Sequence, residues 1–553
     1  MDQDLLPSTL FSSNFIFHDT PPRPEPPVSN FSKFSSRLPV LEDVEDDEPV
    51  ENANRSPWTI SSSAYESIRL DVHLYTDVIP AGCSLPSRNT LAGYLEIYFK
   101  CFQKMLPFIH AASFTVEGKD VERLLAMAVL GALYRFEREN AYQLYFMAKG
   151  ILMEKKRRGD LEVAAELLSG QSHSVSGNER GLGRIQTLVL LVYFASWSDK
   201  RILPDALSMS SQLAMLVREN GIEESDERPI DVDWLTWSAV EERRRTLLVA
   251  YVLLNLHSVA FNTPPSLLSS KIGLFLPGYA EQWNAKNAMQ WQQAARQAER
   301  PFLSTLSSFF TRTEIPEDES VSSFANYILV HGILQQILLD HQSRSSLDAE
   351  SIRGFETALR TWQLSWERTD ESTLDPLSPK GPFGLSAAAL LRLAYIRLTS
   401  NQGPCHGRLL SRIESMPSNL TRTPVCDRAV LHAAHALSIP VRIGIAFMVR
   451  IKIPIWSIEH SLGSLECALL LKDWLEMIST VGTDLRPAEK KIIGIVHGII
   501  RETSFAPTLD GLEDNILLMS STIIKIWTEI FKGEHVHDID NEIYASLNAL
   551  SQA

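Results

Sequence analysis

From Ser61 to the end of the chain, apolar residues recur at steps of three, four and seven, the period of an amphipathic helix. Leu91, Tyr94, Leu95, Tyr98, Phe99, Phe102 and Met105 form one stripe on a helix over 88–104 that stops at Pro107. Ile352, Phe355, Leu359, Trp362 and Trp366 do the same over 350–367. The pattern predicts further helices at 120–136, 140–156, 184–198, 204–218, 234–260, 321–342, 384–399, 426–447, 456–478, 487–502, 513–531 and 540–551. Glycines mark two ends: Gly159 after the basic turn Lys155–Arg158, and Gly221 after 204–218. Strand-like alternation is scarce, so the expected fold is all-α, one large irregular multi-helix domain behind a disordered N-terminal tail. No fixed period repeats, which argues against a solenoid. Prolines at 264, 265, 277, 301 and 316 predict loops mixed with short helices over 262–320, and 400–424 reads as an exposed connection. A domain seam is expected, if anywhere, near 345–350 or within 400–424.

The longest apolar run, Thr246–Phe261, has 16 residues and contains Asn255 and His257. That is short of the roughly 20 a membrane span needs, so a buried core helix and no membrane association are expected. Residues 1–60 differ in kind. Prolines crowd positions 21–27, and eleven acids against four bases give net −7. This is the composition of a disordered acidic linker or of an amphipathic activation segment. The chain's −15 in total counts against a broad nucleic-acid footprint. Cys83, Cys101, Cys405, Cys426 and Cys467 include no closely spaced pair, so a zinc site is not expected and free thiols are. The first ten residues lack the basic start and apolar stretch of a secretory signal.

Four blocks carry a wording beyond periodicity. Leu85–Phe114 contains Leu95, Tyr98, Phe99, Pro107, Phe108 and His110; Ile185–Leu203 contains Trp197. Asp233–Arg245 contains Trp234, Trp237, Glu241, Arg244 and Arg245, and Leu276–Trp291 contains Pro277, Trp283 and Trp291. In this order the blocks resemble the fungal-specific transcription factor domain, in the branch whose members carry N-terminal C2H2 zinc fingers. Leu124–Tyr134 is similar to the helix that follows the first block. Gly278 departs from the pattern, standing where many relatives have cysteine. The resemblance implies an all-helical regulatory domain over 61–550, with its family-like blocks in 85–295. It further implies a nuclear transcription regulator, neither an enzyme nor a cofactor protein, controlling a metabolic or specialised-metabolite gene set. Protein partners are implied: a DNA-bound regulator, the transcription machinery, or a second copy in a homodimer. Zinc modules read DNA in the family, and the cysteine spacings they need are absent, which counts against direct DNA binding by this chain. The other reading is a helical scaffold or ligand-sensing protein derived from such a regulator.

The motif residues have ordinary physical readings as well. Trp234 and Trp237, three apart, and Trp283 and Trp291, eight apart, can each share a helix face. Glu241 and Arg245 have the spacing of an exposed helical ion pair, and the alternating signs around them suggest a solvated helix surface. Lys155, Lys156, Arg157 and Arg158 form a candidate nuclear-import patch; the competing reading is charge complementing a helix end. Catalytic patterns are weak. His432 and His435 lack further ligands, and His535, His537, Asp538 and Asp540 read as a hydrophilic loop. There is no GxSxG elbow and no phosphate-binding glycine loop; Gly181-Leu182-Gly183 reads as a helix-initiating turn. The dense acidic cluster Glu42–Glu48 lies in the tail, where no helix fixes it for magnesium and diphosphate.

Overall fold

A computed structural model describes residues 56–552 apart from 170–177, 229–231, 295–297, 312–319, 345–346, 376–381, 400–419, 452–455, 483 and 510–514. Among the described residues the regular structure is helical, and the single β-type contact is an isolated antiparallel bridge between Phe275 and Pro301. Residues 1–55 of the expected acidic tail, most of the 400–424 connection and Cys405 lie outside the described residues; the rest of the predicted tail is ordered, with Ile60 in the core and Trp58 packed against it.

The helices are α1 (Ser62–His73), α2 (Arg88–Ile97), α3 (Val121–Tyr134), α4 (Arg138–Ser169), α5 (Asn178–Trp197), α6 (Leu203–Glu219) and α7 (Trp234–Phe261). After them come α8 (Ala280–Trp283), α9 (Ala288–Gln293), α10 (Phe302–Thr311), α11 (Ser323–Ser343), α12 (Ala349–Arg368) and α13 (Phe383–Thr399). The last six are α14 (Pro424–Ile443), α15 (Ile445–Ile451), α16 (Ile458–Ser479), α17 (Pro487–Arg501), α18 (Ile516–Ile530) and α19 (Asp538–Gln552). Seven starts are chemically explicit. Ser61, Ser87, Asp233, Ser322, Asp348, Thr423 and Asn515 each accept an otherwise unpaired amide of the first turn.

The stripe predicted over 88–104 is helical throughout, but its middle relaxes into a π-turn at Tyr98–Phe102 before the short turn Gln103–Met105. Every residue of α3 is buried, enclosed by α2, α4 and α5. Gly131 permits this: a Cβ there would stand 2.0 Å from the Tyr94 carbonyl oxygen of α2. α5 leans on α6 and α7, and α7 passes the packing on to α11. Beyond that, α11, α13, α14, α16 and α18 pack in succession, and α19 covers α18 and α16. Pro57–Ala553 forms one compact unit, with no seam at 345–350 or 400–424. The apolar run of α7 is buried along its length, and no single described helix is long and apolar enough to cross a membrane.

Several expectations are corrected. Gly159 does not end a helix: α4 runs on for ten more residues, because Asp160–Ser169 is rich in Leu, Ala and Glu. The basic quartet is therefore mid-helix and complements no C-terminus. Gly221 does mark an end, with φ +77° just after α6. Gly181 and Gly183 lie inside α5, which starts at Asn178. The helix expected over 426–447 breaks at Gly444, φ +97°, and α14 and α15 meet at 88°. Trp283 and Trp291 do not share a helix, since α8 and α9 are separate. The predicted hydrophilic loop is interior: His535, His537 and Asp540 are each at most 4% exposed.

Candidate functional site

The family-like blocks meet around the first half of α7. Glu242 accepts hydrogen bonds from the backbone amide of His110 (3.3 Å), from Gln186 on α5 (2.8 Å) and from Arg123 on α3 (3.4 Å). Thr246, one turn on, donates to the Phe108 carbonyl at 3.2 Å, and Gln186 also donates to Thr246 at 3.1 Å. Phe108 and His110 follow Pro107, which ends the first stripe and turns the chain toward α7. The other motif residues of that stripe serve the core: Leu95 and Tyr98 are fully enclosed, and Phe99 packs edge-on against Phe114 at 5.3 Å. Trp197, at the end of α5, stacks on Phe261 at 5.5 Å.

Glu241, one residue before Glu242, lies at the centre of a buried ionic cluster. Its Oε1 accepts from Arg245 Nε (2.8 Å) and from the Gly278 amide (2.8 Å), and its Oε2 from Arg228 (3.1 Å). Arg245 also donates to the Gly278 carbonyl at 2.7 Å and lies 4.2 Å from the centre of the Trp283 ring. Arg244 binds Asp226 (2.6 Å) and Glu299 (3.0 Å), and Arg228 binds Glu299 as well. Three guanidinium groups thus face three carboxylates, and the cluster is neutral. Glu241 and Arg244 are 0% exposed and Arg245 2%, so the expected exposed ion pair is instead an interior network. The covering comes from the Asp226–Arg228 loop, the Pro277–Gly278 loop and Glu299. Burial favours the protonated acid, but the three arginines prevail and hold the Glu241 carboxyl at about 2.

A small aromatic cluster closes the outer side. Trp237 lies 5.7 Å from Trp291, and Trp283 and Ala285 complete the group with Trp234 against it. The His110 ring meets Trp283 edge-on at 4.8 Å and Trp234 at 5.9 Å. Burial lowers the His110 pKa, with Glu242 opposing. Arg243, the first of the three consecutive arginines, binds the Asn220 carbonyl at the end of α6. The junction thus gathers His110, Trp234, Trp237, Glu241, Arg244, Arg245, Pro277, Trp283 and Trp291 in one place. Sequence reading missed Asp226, Arg228 and Glu299, which arrive on loops with no periodic signal. The arrangement clamps helices together; it offers no nucleophile–base pair, and no group of three or more metal-binding side chains exists among the described residues.

The candidate import patch lies elsewhere, on α4, and each of its four cations has a carboxylate partner. Lys155 binds Asp120 (3.1 Å) and Glu122 (2.8 Å), Lys156 faces Asp160 (3.8 Å), and Arg157 and Arg158 share Glu154 (2.7 and 2.8 Å). His432 lies flat against Tyr395 at 4.3 Å, and Cys83, Cys101, Cys426 and Cys467 are free thiols.

Comparison with known proteins bears on what this architecture belongs to. The fungal specific transcription factor domain matches residues 95–363, and the fungal transcription factor C-terminal domain matches residues 398–549. The chain carries the fungal-specific transcription factor domain. The first match contains the junction, so the matched domain here includes the buried ionic cluster and the tryptophans around it. The second begins within α13 and reaches α19. A nicotinate catabolism cluster-specific transcription factor of Emericella nidulans is 22% identical over 286 residues. That alignment covers 48% of this chain and 31% of the relative, so this chain corresponds to about a third of that protein. No solved structure matches.

Proposed function

We propose that this chain is the regulatory body of a nuclear transcription regulator that controls a metabolic or specialised-metabolite gene set. The observation that carries this reading is the fate of the family's polar motif residues. Glu241, Arg244 and Arg245 bind one another and the neighbouring loops, so they build a rigid body rather than a reactive centre. A body of this kind works through its surface, by engaging protein partners. These are a DNA-bound regulator, the transcription machinery or a second copy. The relative named for a catabolic gene cluster supports a pathway-specific role. Sequence-specific DNA contact is assigned to a DNA-bound partner, because the cysteine spacings of a zinc module are absent, the basic quartet on α4 is paired with carboxylates and the sequence beyond residue 60 carries net −8.

The test is localisation together with transcript profiling of a deletion strain. Nuclear accumulation and a coherent change in a clustered gene set are expected; a cytosolic protein whose loss alters no transcripts overturns the reading. Binding of purified chain to arbitrary duplex DNA should be weak and disappear at modest salt. A tight, salt-resistant, sequence-selective complex would contradict the assignment of DNA contact elsewhere.

A further inference from the structure

A cavity of about 30 Å³ lies among α13, α14, α15, α16 and α18. Its walls are apolar, with Leu385, Ile439, Pro440 and Met448 among them, yet three side chains that carry nitrogen donors line it from three helices: Arg392 of α13, His460 of α16 and Trp527 of α18. None of the three has a partner for the group concerned among the described residues. Arg392 is half-buried and has no hydrogen bond or ion pair among the described residues, whereas Arg397 on the same helix binds Glu466 at 2.5 Å. Trp527 Nε1 is buried and unpaired, as is His460 Nε2.

The tautomer of His460 can be read from its other nitrogen. Nδ1 accepts the backbone amide of Ser457 at 3.2 Å and lies 2.8 Å from the Ser457 hydroxyl, which can donate to it, in the cap that starts α16; this leaves the ring proton of the neutral imidazole on Nε2. Burial, reinforced by the Arg392 charge, keeps this ring neutral, with a pKa of about 3. The Leu385 carbonyl faces the ring but lies outside hydrogen-bonding geometry for Nε2. Two acids of α16 are engaged elsewhere. Glu459 accepts from the Tyr327 hydroxyl, and Glu466 binds Arg397.

An unpaired cation and two unsatisfied N–H donors around one small cavity lack the same thing, a negatively charged acceptor. We propose that this cavity is a binding site for a small monovalent anion of carboxylate or halide size, held by Arg392, His460 Nε2–H and Trp527 Nε1–H. The size limit follows from the volume. A single water needs about 10–15 Å³ measured this way, so the space admits two or three heavy atoms and excludes a whole metabolite. The guanidinium fork suits the two oxygens of a carboxylate, and the two ring donors suit either ion. The proposal rests on the chemistry of the folded body and holds whether or not the chain regulates transcription.

The test is a titration of the purified full chain with sodium formate, with sodium chloride, and with sodium gluconate as a monovalent anion too bulky to enter, at constant total sodium. Trp456 and Trp527 line the cavity, so indole fluorescence reports occupancy. A saturable change with formate or chloride and none with gluconate is expected, and the stronger of the two identifies the ion. Arg392→Met should weaken binding at least about tenfold, the loss of one charge-assisted contact. Arg392→Lys retains the charge without the fork and should also bind about tenfold more weakly. Trp527→Phe removes one donor and should weaken binding several-fold. Equal responses to all three salts, or an unchanged formate and chloride response in both Arg392 variants, overturns the proposal.

Discussion

Glu241 is the residue on which the junction depends most. It accepts from Arg245, Arg228 and Gly278, so Glu241→Gln leaves three buried guanidinium groups facing two carboxylates. Breaking a buried ion pair by removing one member costs about 3–5 kcal/mol, and a loss of that size in chemical denaturation is expected. The pH dependence separates this residue from the buried histidines. Glu241 has a folded pKa of about 2 against an ordinary 4.5, so its contribution is complete above about 4.5 and fades as pH falls toward 2. His257, His331, His432 and His537 are held neutral by burial, at about 4, 3, 3 and 3. The unfolded chain binds their protons first, so stability begins to fall below about pH 6.5. Denaturation between pH 7 and 3 should show both stages, and Glu241→Gln should shrink the lower one, to which Glu489 also contributes, and leave the upper one in place. The i, i+4 spacing of Glu241 and Arg245 was legible in the sequence. Their burial was not, because the residues that cover them come from loops whose positions only the tertiary fold sets.

Among the helices, two glycines should respond to alanine in opposite directions. Gly159 lies inside α4 with open space where a Cβ would go, so Gly159→Ala should stabilise by about 0.5–1 kcal/mol. Gly131 lies where α3 crosses α2, and a Cβ would meet the Tyr94 carbonyl. Gly131→Ala must push two buried helices apart and should cost about 1–3 kcal/mol or more, read as a lower melting temperature. Periodicity found both helices to within a few residues at most ends. It misread Gly159 because a glycine after basic residues has the same signature as a helix end, whereas the helix-favouring run beyond it decides the outcome. It missed α1, and it could not resolve α8, α9 and α10, where short segments are defined by what they cover rather than by their own pattern.

Across the whole molecule, the fold class and the four blocks were legible because helical period and tryptophan spacing are local properties. The joining of α3, α4 and α5 to the segment at 535–538 was not. Arg138 at the start of α4 binds Asp538 and donates to the His535 carbonyl at 2.7 Å. His537 meets the Tyr193 hydroxyl at 3.3 Å and lies against the ring of Tyr134. Removing residues 535–553 should uncover Tyr134 and Tyr193, which are 7% and 4% exposed in the intact protein. The truncated protein is expected to bind a hydrophobic dye and to self-associate in size-exclusion chromatography; a monodisperse, dye-silent product would contradict this.

That contact between α4 and the last turn before α19 also constrains how the protein is made. During synthesis the amino-terminal helices leave the ribosome several hundred residues before the segment that seals them. For that interval an aromatic face stays wet, and translation must finish before the nascent chain can hide it. Holdase chaperones should therefore be found on ribosome-bound intermediates of this protein and should let go only when the carboxyl terminus emerges.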